Sequence, residues 1–258
     1  MFPNLDDATR KNVRLFMKHL RDDVRLSNTS IKRDLSALGV YWDYIRDEGL
    51  APIEGQQNPF KEQKPLNNTN GAATERKPFE LTDLQILYEA LSVRAETENL
   101  KDKALFDAFM IALFTGARRE EIGKLKIRDV NIHKGNTIPT INIHNAKTYA
   151  GTRSIPIHPS IIDILKVRTE QSPDPNCFVF NELSSNKDGL RMDAIGKRFG
   201  RLKEALGFGP DYVFHSIRKS FTTFLEQAGV TEGVTADIVG HEKQTITYGL
   251  YSGGSSDM

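Results

Sequence analysis

The hydrophobic residues among the first fifty positions recur at helical spacing in two segments. They are Val13, Phe16 and Leu20 in the first segment, and Ile31, Leu35, Leu38, Trp42 and Ile45 in the second. An apolar stripe of this period predicts an amphipathic helix that packs one face against a partner. Asp6 and Asp7 stand before the first segment and residues 28–30 begin the second, so we expect these residues to cap the two helices.

The helical pattern weakens between residues 50 and 78. This stretch is rich in Pro, Gly, Gln and Asn and has few large apolar side chains. Such a composition is typical of a linker. We place the boundary near residues 67–76 and predict a helical domain over residues 1–66, a linker over 67–77 and a second domain over 78–258.

Beyond residue 78 the pattern is helical, switches once to short β-type runs and then returns. Helical spacing covers Leu84, Leu87 and Leu91, then Leu105, Phe109 and Leu113 up to Gly116, and later residues 161–167, 194–206 and 215–225. The β-branched residues Ile138, Ile141 and Ile143, followed by Ile155 and Ile157, flank a polar loop. This arrangement predicts a hairpin with Lys147 near its tip. The predicted fold class is therefore mainly α with a small β-sheet, α+β.

Composition narrows the possible classes of protein. The chain has 258 residues, 38% of them hydrophobic, which is enough for one large core or two smaller ones. No signal-peptide pattern and no run of about 18 apolar residues occurs, so we expect neither secretion nor a membrane partner. A single cysteine, Cys177, fits a reducing cytoplasm. Without a P-loop or an acidic cluster at ligand spacing, we expect no nucleotide, metal or other cofactor.

Four short motifs stand in order along the second domain. Residues 115–121 read Thr-Gly-Ala-Arg-Arg-Glu-Glu, residues 215–218 read His-Ser-Ile-Arg, residues 240–241 read Gly-His, and Tyr248 and Tyr251 follow. The transition state of phosphodiester cleavage spreads negative charge over the nonbridging oxygens, so a metal-free enzyme needs the planar donor forks of arginine. His215 and Arg218 are three apart and share a helix face, so they can reach one phosphate together.

In this order the motifs resemble those of the tyrosine recombinases, the phage integrase family. The resemblance covers residues 80–251 through the motifs, and only helix pattern and position support it before them. It implies a helical core-type DNA-binding domain followed by an integrase-like catalytic domain. The residues that match the family's site are Arg118, Lys147, His215, Arg218, His241 and Tyr251.

The resemblance implies a role for each of these residues. Tyr251 attacks the phosphate, which the two arginines hold. A phenol with a pKa of about 10 must lose its proton during the attack, and His215 is the candidate base. His241 hydrogen-bonds the scissile phosphate. Lys147 protonates the leaving 5′ oxygen if the site lowers its pKa.

Two of these residues have rivals nearby. The family pattern Thr-Gly-x-Arg-x-x-Glu/Asp selects Arg118 over Arg119, and it leaves Glu121 either to orient that guanidinium or to cap the helix. Tyr248 competes with Tyr251 for the role of nucleophile. Spacing from the Gly-His motif and the context Tyr-Gly-Leu-Tyr-Ser-Gly-Gly favour Tyr251.

The resemblance implies a site-specific recombinase that cuts and rejoins double-stranded DNA through a 3′-phosphotyrosyl intermediate, integrating or excising a mobile element. It implies a homo-tetramer on two paired DNA sites, a DNA-bending or excision protein as accessory partner, and a cytoplasmic, nucleoid-associated location. Two alternatives stay open: a catalytically inactive or truncated sequence-specific DNA-binding module, and a type IB topoisomerase-like enzyme that nicks and reseals. The short stretch after Tyr251 fits either a truncated form or a compact family member.

Overall fold

The structure is a computed structural model that describes residues 7–50, 56–64, 75–97, 99–132, 138–144 and 151–241. The chain divides into two compact units, Met1–Glu75 and Arg76–Met258. Helices and one small antiparallel sheet confirm the predicted α+β class. Most of the predicted linker over 67–77 lies outside the described residues, so the assignment of domains and their roles stays a prediction.

The first unit contains the two expected helices, α1 (Arg10–Asp22) and α2 (Asn28–Asp47). Its core consists of Ala8, Val13, Met17, Leu20, Ile31, Leu35, Trp42, Ile45 and Phe60. The predicted caps are wrong where they can be seen. Thr9 and Ser27 cap the helices instead, because their hydroxyls accept the backbone N–H of Asn12 at 3.2 Å and of Ser30 at 3.1 Å. The other expected cap, Asp6, lies outside the described residues.

Residues 56–64 pack onto α2, although their composition is typical of a linker. The buried Asn58 side chain donates to the Gly39 carbonyl at 2.8 Å and accepts the backbone N–H of Phe60 at 3.0 Å. The ring of Phe60 meets the ring of Trp42 edge-on, with centroids 6.1 Å apart. A few anchoring contacts therefore order a segment in which large apolar residues are rare.

The second unit is built around one helix that is buried on all sides. Its helices are α3 (Leu81–Ala95), α4 (Leu100–Thr115), α5 (Arg119–Lys124), α6 (Pro159–Thr169), α7 (Asp193–Ala205), α8 (Phe214–Gln227) and α9 (Glu232–Val239). The five consecutive residues 108–112 of α4 are buried, and α3, α6, α7 and α8 pack around it. The longer helices confirm the predicted pattern, whereas the short helices α5 and α9 were not predicted.

A three-stranded antiparallel sheet completes this unit. Its strands are β1 (Val130–Asn131), β2 (Thr140–Ile143) and β3 (Arg153–Pro156), in the order β1-β2-β3. Ile141 pairs with Ile155, and their side chains are buried, which confirms the predicted hairpin strands. Strand β1 was not predicted. Lys147, the expected tip residue, lies outside the described residues.

Within the described ranges, no helix has the length and apolar character that a membrane crossing requires. The same ranges hold no group of three or more His, Cys, Asp or Glu side chains arranged to bind a metal ion.

Candidate active site

The end of α4 places Arg118. Gly116 stops the helix with φ of +62°, and a Cβ there would lie 2.4 Å from a ring carbon of Phe221, so the position requires glycine. Arg118 then begins α5. The carboxylate of Glu121 accepts the backbone N–H of Arg118 at 2.8 Å, as an acid at this position of a capping box does.

Glu121 also joins two arginine side chains. Its Oε1 accepts from Arg118 Nη1 at 2.8 Å, and its Oε2 accepts from Arg153 Nη2 at 2.9 Å. Burial alone would raise the pKa of Glu121, but the hydrogen bonds and charge of Arg153, together with the hydrogen bonds of Arg118, outweigh it and leave that pKa below its ordinary value. The carboxylate therefore stays ionised at neutral pH.

Arg153 begins strand β3, and its side chain is only 5% exposed. Its Nε donates to the Ile238 carbonyl at 2.7 Å and its Nη1 to the Gly151 carbonyl at 2.7 Å. The guanidinium thus connects the start of β3, the last turn of α9 and the Glu121 carboxylate.

Helix α8 carries His215 and Arg218 one turn apart. The helix is fixed by Ser220, whose hydroxyl both accepts from and donates to the backbone of Phe79. Arg218 is buried and donates from Nη1 to the Gly116 carbonyl at 2.7 Å. Its Nη2 is buried with no hydrogen-bond partner among the described residues. Burial, and then the charge of Arg118, lower the pKa of Arg218 to about 10, so it remains a cation at neutral pH.

His241 follows the end of α9. Gly240 stops that helix with φ of +71°, and the Gly240 carbonyl accepts from Arg118 Nη2 at 3.2 Å. Partial desolvation, and then the charges of Arg218 and Arg118, hold the pKa of His241 below its ordinary value. The same two arginines, after desolvation, lower the pKa of His215. Both imidazoles are therefore neutral at neutral pH and able to accept a proton.

The structure brings together four of the six predicted site residues: Arg118, His215, Arg218 and His241. The charges of both arginines lower the pKa of each histidine. Arg119 turns away, since its guanidinium lies against Gly196 on α7. The other two predicted residues, Lys147 and Tyr251, lie outside the described residues, as does the rival Tyr248.

Arg153 is the member of this cluster that was missed from the sequence. Its partners are the carboxylate of Glu121 and two backbone carbonyls, one of them 85 residues away. Only its place at the first position of a β-run after the hairpin loop could have drawn attention to it. With Arg153 included, the described part of the cluster holds three arginines and one carboxylate, which bonds to Arg118 and Arg153. The cluster therefore carries surplus positive charge and suits an anion.

The comparison with protein families decides the classification. The family model described as "Phage integrase family" matches residues 79–255, which is more than half of the chain. The chain belongs to the phage integrase family. This member also resembles the prophage integrase IntF of Escherichia coli (strain K12), with 30% identity over 140 residues that cover 53% of this chain and 28% of IntF. It spans 28% to 62% of the length of the first four curated relatives it matches.

Solved integrase structures share the fold of this family member. The Tn1549 transposon integrase in complex with a circular intermediate DNA matches with a TM-score of 0.66 at 19% identity, covering 95% of this chain and 81% of that one. The lambda integrase tetramer bound to a Holliday junction matches with a TM-score of 0.64 at 18% identity, covering 94% and 66%. At such low identity the likeness concerns the fold alone.

Proposed function

We propose that the protein is a site-specific DNA recombinase that cuts and rejoins double-stranded DNA through a 3′-phosphotyrosyl intermediate and integrates or excises a mobile element. The observation that carries this proposal is the buried Nη2 of Arg218, which has no partner among the described residues. A buried unpaired donor costs about 1–3 kcal/mol. A phosphate oxygen is the acceptor whose charge and geometry suit a guanidinium fork.

In this proposal the two family arginines stabilise the pentacoordinate transition state. Arg118 and Arg218 donate to nonbridging oxygens, and His241 adds a hydrogen bond. The Tyr251 oxygen forms a bond to phosphorus while its proton passes to the neutral His215. The bond to the 5′ oxygen breaks, and Lys147 supplies the proton that this oxygen takes up. For Lys147 and Tyr251 the support is the sequence motif.

Rejoining reverses the same steps. A 5′ hydroxyl from the partner DNA attacks the phosphotyrosyl bond, which has conserved the energy of the cleaved ester. The family includes an integrase solved as a tetramer on a Holliday junction, and we extend that assembly to this chain as a homo-tetramer on two paired DNA sites. A DNA-bending or excision protein as accessory partner, and a location on the nucleoid, belong to the same proposal.

The test is covalent capture of DNA without metal. Duplexes that the protein selects from a random-sequence library are nicked near the bound site so that cleavage releases a short fragment and traps the protein. Reactions in chelator are run on denaturing gels with the unmodified protein, Tyr251→Phe and the matched control Tyr248→Phe. Label on the strand 5′ of the break should remain with the protein, as a 3′-phosphotyrosyl bond requires.

A covalent band that only Tyr251→Phe abolishes supports the mechanism and its nucleophile. Loss only in Tyr248→Phe keeps the reaction and changes the nucleophile. Sequence-specific binding with no covalent band favours an inactive DNA-binding module. Relaxation of supercoiled plasmid, with no exchange between two site-bearing duplexes, favours the topoisomerase-like alternative.

A further inference from the structure

We propose that Arg153 is a positioning residue, which fixes the Arg118 guanidinium and the end of α9 around the scissile phosphate. This inference rests on the recombinase function proposed above. It assigns to Arg153 no contact with DNA or with the reacting atoms.

The Arg153 side chain holds several groups at once. Arg153 donates to the Ile238 carbonyl, the Gly151 carbonyl and both oxygens of Glu121, the last at 3.3 and 2.9 Å. These acceptors lie on three separate segments of the chain. A planar guanidinium with donors in a rigid fork can hold all of them at once, whereas a lysine ammonium presents its donors from a single point.

The two arginines on Glu121 differ in exposure and in the donors they have left. The Arg118 side chain is 41% exposed and the Arg153 side chain 5%. Arg118 can therefore meet a phosphate from solvent. Each of the three guanidinium nitrogens of Arg153 already donates to Ile238, Gly151 or Glu121, whereas the equally buried Arg218 keeps an unpaired Nη2. Arg153 therefore acts on the reaction through the groups that it holds.

The hydrogen bonds of Arg118, Arg153 and Glu121 form a closed network. Arg118 donates to Glu121 through Nη1 and to the Gly240 carbonyl through Nη2, while Arg153 holds Glu121 and the Ile238 carbonyl. Two arginines and one carboxylate thus tie the start of α5 to the last turn of α9, and His241 follows directly. Loss of Arg153 removes one of the two links between α9 and Glu121.

The Gly151 carbonyl extends this network to the hairpin. Gly151 lies two residues before Arg153, at the base of the segment that contains Lys147. One guanidinium is therefore bonded to Glu121 and Ile238, which stand close in sequence to Arg118 and His241, and to Gly151, which follows the segment that contains Lys147 in the sequence. A displacement of about 1 Å in such a constellation can cost about 100-fold in rate.

The experiment is a double-mutant cycle on the single-turnover rate of covalent capture at saturating nicked duplex. Arg153→Lys is measured in the unmodified background and in Arg118→Lys, each normalised to the fraction that binds DNA. We expect Arg153→Lys alone to lower the rate about 10- to 100-fold with little change in DNA affinity. In the Arg118→Lys background the same change should cost much less, because the guanidinium it positions is gone.

Arg168→Lys is the matched control, since Arg168 is equally buried, with a side chain 4% exposed, but belongs to another network. It should leave the normalised rate unchanged. Equal rate losses from Arg153→Lys in both backgrounds, or no loss in either, would overturn the inference while leaving the recombinase function intact. An unmodified protein that forms no covalent complex would overturn the proposed function itself.

A second variant covers the case in which Arg153→Lys does not fold. Glu121→Gln keeps the shape of the side chain and weakens its hold on both arginines. It should lower the normalised rate, again far less in the Arg118→Lys background. Equal losses in the two backgrounds would count against the inference here as well.

Discussion

Two clusters of arginine and carboxylate side chains in the second unit differ in how their charge is matched. Arg168 donates to Asp107 at 2.6 Å and to Glu182 at 3.0 Å, and its guanidinium lies 4.1 Å from the ring centroid of Phe180. Arg168 thus bonds to two carboxylates. In the candidate active site the carboxylate of Glu121 bonds to Arg118 and Arg153, and its charge also acts on Arg218. The first cluster needs no further anion, whereas the second has positive charge to spare for one.

The pKa values of the carboxylates in the two clusters are shifted in opposite directions. Burial raises the pKa of Asp107, and the attraction of Arg168 does not make up for it. Burial acts in the same direction on Glu121, but there Arg153 and Arg118 prevail and its pKa is lowered. The ionised form of Asp107 is therefore a cost to the fold and that of Glu121 a contribution to it. Surplus positive charge, rather than burial of an arginine, distinguishes the candidate active site from the ion pairs of Arg168.

The largest expected effect is a loss of protein stability when Arg168 is replaced. Arg168→Met leaves Asp107 and Glu182 buried and facing each other, so the free energy of unfolding should fall by about 3–5 kcal/mol. Urea unfolding measures it, with Lys166→Met on the exposed side of the same helix as control. The normalised cleavage rate of the folded protein should not change. A large loss of that rate would break the distinction between the clusters.

Arg218→Lys should lower the cleavage rate much more than the stability. The variant keeps a positive charge but loses the second donor of the fork, so the cleavage rate should fall about 100- to 1000-fold, as when one transition-state donor is removed. Stability should change much less than in Arg168→Met. Single-turnover capture and urea unfolding on the same samples compare the two effects. A rate close to that of the unmodified protein would show that the Arg218 fork does not act on the phosphate.

Sequence pattern predicted the frame of the site but not its internal connections. The helix that ends at Gly116, and the two hairpin strands that contain Ile141 and Ile155, follow from spacing that many residues share. Helices α5 and α9 are eight residues or shorter, which is too few turns for a periodic pattern to stand out. The motifs selected Arg118, and the structure places its rival Arg119 outside the cluster.

Arg153 escaped prediction for a different physical reason. Its acceptors include two backbone carbonyls, and any residue type presents a carbonyl, so no pattern of side chains marks them. The anchoring of residues 56–64 was missed likewise, because it depends on hydrogen bonds from one buried amide, Asn58, to the backbone of Gly39 and Phe60, which composition does not reveal. Contacts between a side chain and the backbone of a distant residue are the hardest part of a fold to predict from a single sequence.

The opposite pKa shifts of Glu121 and Asp107 predict a smaller effect on stability, which depends on pH. Glu121→Gln should lower the free energy of unfolding at neutral pH by about 1–3 kcal/mol. The folded pKa of Glu121 lies below its ordinary value of 4.5, so its contribution is full above that value and is lost as the pH falls through the folded pKa. The difference between variant and unmodified protein should therefore narrow in acid.

Asp107→Asn is the matched variant in the other cluster. The folded pKa of Asp107 is raised above its ordinary value of 3.8, so ionisation counts against the fold as the pH rises through that range. The variant should therefore cost less stability at neutral pH than Glu121→Gln does. Urea unfolding across the acid range measures both variants. Equal losses that do not vary with pH would contradict the assigned directions.

The smallest effect concerns the proton acceptor. Desolvation, then the charges of Arg218, Arg118 and Lys219, lower the pKa of His215, so a base at this position stays neutral below its ordinary value of 6.5. The acid limb of the cleavage rate should accordingly lie below that value. Lys219→Gln removes the weakest of these charges and should move the limb upward by less than one pH unit, since a charge pair at about 4 Å in water is worth about 1 kcal/mol. Lys219→Arg keeps the charge and should leave the limb in place. If both variants shift it equally, or neither does, the surplus charge of the cluster does not set the protonation of His215.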